Sequence, residues 1–252
     1  MLAVISPAKS LDYQRALPPL EASAPRFEAE AGRLAGAAAR LSKRRLGELM
    51  HISDALSQLN AGRFRSFDGQ PGRPALYAFA GDVYMGFEVH SLDRDAVDFA
   101  QHHLRILSGL YGLLRPLDEI RPHRLEMGTR WAPGRAKDLY AFWGGRIAAI
   151  LSDDLEEAGS RVVINLASKE YWRALEGRLP AGVRVIEIDF REAGPDGPRF
   201  NTFAAKRARG MMARYLCEHR LDDPEALKGF DSDGYAFDAE NSDSGRWRFS
   251  RS

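Results

Sequence analysis

Short apolar runs of strand length alternate along this chain with longer stretches whose apolar residues recur at helical spacing. The first run, Leu2–Ile5, is followed by Ser-Pro, and Pro7 lacks a backbone donor, so the pattern predicts a buried strand that stops there. Strands mixed with helices at this spacing are typical of α/β or α+β proteins. We therefore expect a sheet surrounded by helices.

The remaining elements follow from the same patterns. Further strands are predicted at 76–80, 162–166, 183–190 and 199–204. Helices are predicted at 27–40, 43–50, 54–64, 94–110, 137–158, 169–175 and 206–219. Segments rich in proline or glycine predict loops at 17–25, 67–74 and 193–198. The last loop separates two stretches that favour strands, which predicts a hairpin, and hence a mixed sheet with an antiparallel pair beside a parallel core.

Length and charge limit the classes of protein. The 252 residues, 44% of them apolar, suit one compact domain over 1–252. The formal charge is +1, so binding to nucleic acid would require a local basic patch. A single cysteine excludes an internal disulfide, and the histidines lack metal-ligand spacing, so we expect no metal or cofactor. The chain shows neither a signal peptide nor a run that could span a membrane, which predicts a cytoplasmic protein.

The segment 42–64 predicts two helices joined by a three-residue hairpin. Ser42 and Ser53 are suitable N-caps, and Leu56, Leu59 and Phe64 are predicted to face inward. The start of the second helix can bind a phosphate through its free backbone N–H groups. The basic residues beside it are Lys43, Arg44 and Arg45. Without hairpin glycines, the segment is either a phosphate-binding unit or a helical corner with a solvated basic face.

Two other stretches contain candidate binding groups. A second basic patch on the last predicted helix contains Lys206, Arg207 and Arg209, and it either contacts phosphate or is a solvated face. Lys9 follows the first strand, where ligands of open α/β sheets collect, so it can meet an anion or an imine-forming carbonyl, or it can be a surface lysine.

Further polar residues mark a candidate cleft. The irregular segment 109–128 contains Arg115, Arg124 and Glu126, which suit an anion clamp and a general base, or an internal salt-bridge network. Asn165 and Ser168 follow another strand and either donate to an anion or cap a helix. The remaining candidates are Asp82, Tyr84 and Lys137.

Several long motifs are distributed over nearly the whole chain. They are ISPAKSLDY, FAGDVYMGFE, LSGLYGLLRPLD, RLEMG, KDLYAFWG, INLASKEY, AKRARGMMARY and GFDSDGYAFD. With these motifs the chain resembles the YaaA family of bacterial peroxide-stress proteins. It departs from the family pattern at His123, where Tyr is usual, and at Ser10, where Thr is usual.

The resemblance implies a cytosolic protein of the oxidative-stress response that limits free iron and so protects DNA and protein. It also implies a compact α/β fold with a basic cleft and a helix-hairpin-helix unit that binds DNA, which corresponds to 42–64 here. The first hypothesis is therefore sequence-nonspecific binding of double-stranded or structured DNA. The alternative is an enzyme that acts on a nucleobase, nucleotide or DNA lesion through Lys9, Glu126 and Lys206. A third is a partner-binding protein that uses its acidic segment 231–243.

Overall fold

The computed structural model describes residues 1–194 and 197–252. Its strands are β1 (Leu2–Ile5), β2 (Ser10–Leu11), β3 (Arg73–Pro74), β4 (Phe79–Ala80), β5 (Leu104–Ser108), β6 (Gly112–Leu114), β7 (Glu119–Ile120), β8 (Val162–Leu166), β9 (Arg184–Glu192), β10 (Ala236–Asp238) and β11 (Arg246–Arg251). Its helices are α1 (Glu28–Ala39), α2 (Lys43–Met50), α3 (Asp54–Arg65), α4 (Ala75–Ala78), α5 (Asp82–Phe87), α6 (Arg94–His103), α7 (Leu139–Trp143), α8 (Arg146–Glu157), α9 (Lys169–Trp172) and α10 (Thr202–Glu218).

A seven-stranded sheet in the order β10-β11-β9-β8-β1-β5-β6 forms the centre of the molecule. β1 lies between β5 and β8 and is parallel to both, while β9 and β11 extend the parallel part. β6 and β10 are antiparallel to their neighbours at the two edges. All four residues of β1 are fully buried, as a strand covered on both faces requires. The predicted α/β fold with a mixed sheet is confirmed.

The path of the chain through the sheet produces a crevice beside β1. From β1 the chain first builds β5 on one side and later β8 and β9 on the other. The loops that leave the carboxyl ends of β1 and β8 therefore turn away from each other. In open α/β sheets ligands bind at such a switch point, beyond the carboxyl ends of the strands.

Two predicted strands are wrong in part. The stretch 76–80 is mostly α4, with only Phe79 and Ala80 in a short strand. The stretch 199–204 contains the start of α10, because the side chain of Asn201 accepts hydrogen bonds from two backbone N–H groups and caps the helix at that point. The predicted hairpin does pair its flanks, through a bridge between Glu192 and Arg199, whereas Pro195 and Asp196 of its turn lie outside the described residues.

Two predicted helices are also wrong in part. The stretch 94–110 is helical only to His103, and Leu104 then begins the buried strand β5 without a turn residue between them. The stretch 137–158 forms two helices, α7 and α8. They are separated at Gly144, whose φ of 54° and ψ of −127° are accessible to glycine and strained for other residues. Among the described residues, no helix combines the length and the apolar character needed to cross a membrane.

Candidate functional site

The carboxyl edge of the parallel strands brings together Lys9 and Glu126. Lys9 lies in the loop after β1, and Glu126 lies in the irregular segment after β7. The Lys9 Nζ is 3.7 Å from Glu126 Oε1. The Lys9 side chain is 67% exposed, whereas that of Glu126 is 13% exposed. A mobile, accessible amine thus stands beside a carboxylate that is held in place.

The two oxygens of Glu126 have different surroundings. Oε1 accepts from Arg124 Nε at 2.9 Å and lies 2.9 Å from a second guanidinium nitrogen of Arg124. Oε2 is buried and has no hydrogen-bond partner among the described residues. Burial of an unpaired carboxylate oxygen is costly, so such an atom in a cleft indicates a place for a donor from a ligand or a water.

Other side chains complete this cleft, which we call the edge cleft. Its lining includes Lys9, Phe79, Ser108, His123, Arg124, Glu126 and Tyr171. Its enclosed cavity of about 10 Å³ has room for roughly one water molecule. Larger groups must therefore bind at its open side, where Lys9 lies.

His123 contributes a neutral ring to the edge cleft. Burial lowers the pKa of His123 to about 4. A hydrogen bond to the backbone carbonyl of Arg121 acts in the opposite direction, because it favours the charged ring, but its effect is smaller. Its Nδ1 lies 2.7 Å from that carbonyl oxygen, which can only accept, so Nδ1 carries the proton. The other ring nitrogen is therefore an acceptor. Burial also raises the pKa of the Tyr171 hydroxyl, which keeps that group neutral.

Hydrogen bonds join β1 to β8 at the switch point. Ser6 Oγ accepts from the Ser168 backbone N–H at 2.9 Å, and the Tyr84 hydroxyl donates to the Ser6 carbonyl at 3.1 Å. Asn165 Oδ1 accepts from the Ala167 N–H at 3.0 Å. Ser168 stands at the start of α9, but its side chain makes no capping hydrogen bond there. These three candidate residues hold the wall of the site together.

A second cation, Lys206, is joined by contacts to the loop that carries Lys9. Lys206 Nζ lies 3.8 Å from Asp82 Oδ2 and over the ring of Phe203, 5.7 Å from its centroid. Gly81, which precedes Asp82, packs closely against Ala8. A Cβ atom added at Gly81 would lie 3.2 Å from the Cβ atom of Ala8. A chain of contacts thus leads from Lys206 through Asp82 and Gly81 to the loop of Ala8 and Lys9, and we call this surface the rim.

Phe203 was not among the residues predicted from the sequence. Its ring is 71% exposed although it is large and apolar, and it lies in the first turn of α10. Sequence pattern could not find it, because its exposure depends on where α10 begins. Ser108 was also missed, although the end of a buried apolar run is a detectable signal.

The other predicted cations have different surroundings. Arg115 belongs to an internal network with the fully buried carboxylate of Asp118. Lys137 and Arg207 are exposed. Arg209 is largely buried, and desolvation lowers its pKa, with the carboxylates of Glu187 and Asp189 opposing that effect.

The segment 42–64 contains the predicted pair of helices, α2 and most of α3. Ser42 Oγ accepts from a backbone N–H of α2, and Ser53 Oγ accepts from one of α3, so both act as N-caps. Between the helices, His51 adopts the left-handed region with a φ of 50° and provides the turn without a glycine.

The predicted inward face of α3 is wrong in part. Leu56 is 39% exposed and Leu59 is 47% exposed, whereas Phe64 is buried as expected. The buried positions near the hairpin are instead Ser57 and Asn60, because α2 approaches α3 closely there: a Cβ atom at Gly47 would stand 2.6 Å from Ser57 Oγ. Only a small residue fits in so close a contact.

The three cations of α2 are paired at the surface. Lys43 Nζ lies 3.1 Å from Asp54 Oδ2. Arg44 and Arg45 lie 3.7 and 3.5 Å from the carboxylate of Glu48. Exposed pairs of this kind contribute at most about 1 kcal/mol, so a phosphate can replace the carboxylates.

Helix α3 extends from the hairpin to the segment that carries Glu126. Gln70, just beyond α3, donates from Nε2 to the carbonyl of Arg63 at 2.7 Å and lies 3.4 Å from that of Pro122. At 1.5 Å per residue, the 12 residues of α3 span roughly 18 Å. The far end of α3 thus lies near Pro122, in the same irregular segment as Glu126.

The side chains that commonly bind metal ions are not arranged as a metal site in the described part of the chain. Within residues 1–194 and 197–252, no group of three or more His, Cys, Asp or Glu side chains is arranged to hold an ion.

Comparison with known proteins gives one consistent family. Residues 1–241 match the family model described as peroxide stress protein YaaA. A UPF0246 protein of Rhizorhabdus wittichii is 65% identical over 99% of this chain and 98% of its own length. Related UPF0246 proteins of Methylibium petroleiphilum and Hahella chejuensis are 48% and 45% identical, each over 100% of this chain and 99% of its own length.

Proposed function

Because the chain belongs to the YaaA family of peroxide stress proteins, we propose that it protects a cell's DNA from iron- and peroxide-driven damage by binding that DNA in the cytoplasm. The binding is independent of sequence and uses the helical pair of segment 42–64 together with the rim around Lys206.

The observation that carries this proposal is the exposed start of α3. Residues 53–56 are all exposed, and of the first-turn N–H groups the Ser53 side chain accepts from that of Leu56. The helix has 12 residues, and its dipole favours an anion at this end. The cations that can join the phosphate are Lys43, Arg44 and Arg45. Phosphate contacts of this kind position the DNA backbone but do not distinguish one base sequence from another.

A second contact region supports the same proposal. Lys206 and Arg207 are both exposed on α10. The length of α3, roughly 18 Å, corresponds to about five base pairs at 3.4 Å per pair. One short stretch of duplex can therefore contact the hairpin and the edge cleft together.

The proposal is tested by measuring DNA affinity across a salt series. Each phosphate contact should contribute about 0.9 to the slope of log affinity against log salt. The variant with Lys43→Ala, Arg44→Ala and Arg45→Ala should bind more weakly and with a flatter slope. The control replaces three exposed arginines outside this unit, Arg94, Arg135 and Arg178, with alanine.

The result that supports the proposal is a loss of slope in the first variant only. An equal loss in both variants would mean that general charge, not the helical pair, attracts DNA. Binding that is insensitive to salt would overturn the proposal.

A second candidate function is an enzyme that acts on a nucleobase, nucleotide or DNA lesion. The observation that favours it is the carboxylate of Glu126, whose Oε1 lies 3.7 Å from the amine of Lys9 and whose Oε2 is buried without a hydrogen-bond partner among the described residues. A surface that only holds phosphates does not require such an atom.

A further inference from the structure

We propose that Lys9 and Glu126 form a catalytic pair in which Lys9 makes an imine with the aldehyde of an abasic deoxyribose in DNA and Glu126 transfers the protons. This inference rests on the proposed binding of DNA, which brings the aldehyde to the edge cleft.

The first requirement is an amine that a carbonyl carbon can reach. Lys9 meets it, because its side chain is 67% exposed and lies at the open side of the edge cleft. Lys206, the other lysine of the rim, is 46% exposed and pairs with Asp82, whose side chain is 29% exposed. Of these two carboxylate partners, only Glu126 has a buried oxygen without a hydrogen bond among the described residues.

The second requirement is a group that can accept and return a proton. Arg124 holds Oε1 of Glu126 with both of its nearby nitrogens, which fixes the carboxylate. Protonation of Oε2 breaks no existing hydrogen bond within the described part of the chain. The Lys9 ammonium lies 3.7 Å from Oε1 of the same carboxylate, so Glu126 can take its proton and carry it on Oε2 while Arg124 continues to hold Oε1.

The reaction then balances without an oxidant or reductant. The free amine of Lys9 attacks C1′ of the open-chain sugar, and Glu126 returns a proton to the resulting hydroxyl, which leaves as water to give the imine. The Glu126 carboxylate next removes a proton from C2′. The C–H electron pair forms the C2′–C3′ double bond, and the C3′–O bond breaks, releasing the 3′ phosphate with its electron pair. Glu126 passes the C2′ proton to solvent, and water finally hydrolyses the protonated imine, which releases an unsaturated aldehyde and restores the Lys9 ammonium.

The rim favours DNA over a free sugar as the source of this aldehyde. Phe203 stands exposed beside Lys206 and is linked through Asp82 and Gly81 to the Ala8–Lys9 loop. An abasic position leaves a gap in the base stack that an apolar side chain can fill. Stacking of a neighbouring base on an aromatic ring stabilises a complex with DNA, and a free sugar phosphate cannot use it.

The test is reduction with borohydride in the presence of an oligonucleotide duplex that contains one abasic site. Reduction turns the imine into a stable secondary amine, so protein and DNA should become covalently joined at Lys9, as located by peptide mass spectrometry. A parallel mobility shift measures binding of the same duplex. Free 2-deoxyribose 5-phosphate serves as a second probe.

Three variants sharpen the result. Lys9→Arg keeps the positive charge but cannot form an imine, so the adduct should disappear while the mobility shift remains. Lys169→Arg, at another exposed lysine that follows a strand of the same sheet edge, should leave the adduct unchanged. Glu126→Gln should slow strand cleavage by about 100-fold or more, as expected for loss of a general base.

The outcomes separate the two proposals. No adduct at Lys9 with abasic DNA that the mobility shift shows to be bound would overturn the catalytic pair and leave DNA binding intact. An adduct at Lys9 with the free sugar phosphate alone would overturn DNA as the source. Failure of every DNA to bind would overturn the proposed function, and the catalytic pair on DNA with it.

Discussion

The backbone of Gly210 in α10 lies directly against the carbonyl oxygen of Val83 in α5, since a Cβ atom at residue 210 would stand 1.8 Å from that oxygen. A Cβ atom at Gly86 would likewise meet the carbonyl oxygen of Arg207, at 2.1 Å. These two contacts hold together the helices that carry Asp82 and Lys206, which form an ion pair.

Substitution Gly210→Ala should destabilise the protein strongly. The atom in the way belongs to the backbone, which cannot rotate aside, so we expect a loss of at least about 1–3 kcal/mol. The measurement is urea unfolding followed by circular dichroism. Gly36→Ala in α1 is the matched control, because nothing lies within 4 Å of its Cβ position. In α1 the Gly36→Ala change should stabilise the helix by about 0.5–1 kcal/mol. An equal change in the free energy of unfolding for both variants would contradict the close contact between Gly210 and Val83.

Stability should fall as pH is lowered, through His123. The pKa of His123 is about 4 in the folded state, below the ordinary histidine value of 6.5, because burial disfavours the charged ring. The unfolded chain therefore binds more protons between these values. The contribution is fully present above pH 6.5 and is lost as pH falls towards 4, by roughly 3 kcal/mol in total.

Unfolding experiments at pH 7.5 and pH 5 can test this pH dependence. His123→Asn keeps a donor for the Arg121 carbonyl but does not titrate, so the difference between the two pH values should shrink. If wild type and His123→Asn lose the same free energy of unfolding between pH 7.5 and pH 5, a group other than His123 causes the pH dependence.

Phe203→Ala should weaken binding to DNA with unpaired or abasic positions and leave fully paired duplex almost unaffected. The exposed ring can stack only where a neighbouring base is missing or turned out, and stacking contributes about 1–3 kcal/mol. Fluorescence anisotropy with matched oligonucleotides measures both affinities. An equal loss for both kinds of DNA would rule out stacking as its role.

Asp54→Asn should increase affinity for DNA. Its carboxylate is 94% exposed in the first turn of α3, where it repels phosphate and occupies Lys43. Like charges about 4 Å apart in water repel by about 1 kcal/mol, so the dissociation constant should fall roughly two- to fivefold. Asp153→Asn, at an exposed carboxylate of α8, should produce no comparable gain. A weaker complex for Asp54→Asn would exclude a phosphate at the hairpin.

Cys217 should not react with peroxide in the folded protein. The residue is fully buried, and burial, with Glu218 beside it, raises its pKa, so the reactive thiolate is scarce. Mass spectrometry after hydrogen peroxide should show an unmodified thiol in buffer and oxidation in denaturant. A sulfenic acid in the native protein would contradict this expectation.

The architecture was predictable where a local pattern and the tertiary structure agree. β1 and β8 are continuous apolar runs that become buried parallel strands, and Ser42 and Ser53 cap helices as their side chains allow. β5 was hidden, because Leu104 continues the apolar pattern of α6 without a turn residue. β11 was missed although its buried Trp247 and Phe249 alternate with polar residues.

The candidate site was only partly predictable, since it depends on distances through space. Position after a strand identified Lys9, and charge density identified Glu126, but their approach to 3.7 Å follows from the packing of the segment after β7 over the sheet edge. Gly109 allows that packing, because a Cβ atom there would stand 2.3 Å from the Leu125 carbonyl oxygen. A sequence pattern does not contain that contact.

The central place of β1 in the sheet has a consequence for synthesis of the protein. Residues 2–5 leave the ribosome before both of their neighbours, at 104–108 and 162–166, have been made. During that interval the strand presents apolar side chains and unpaired backbone groups, the features that chaperones bind and that promote aggregation. Formation of the sheet must therefore wait for long-range pairing, which makes the nascent chain slow to fold and dependent on protection while it grows.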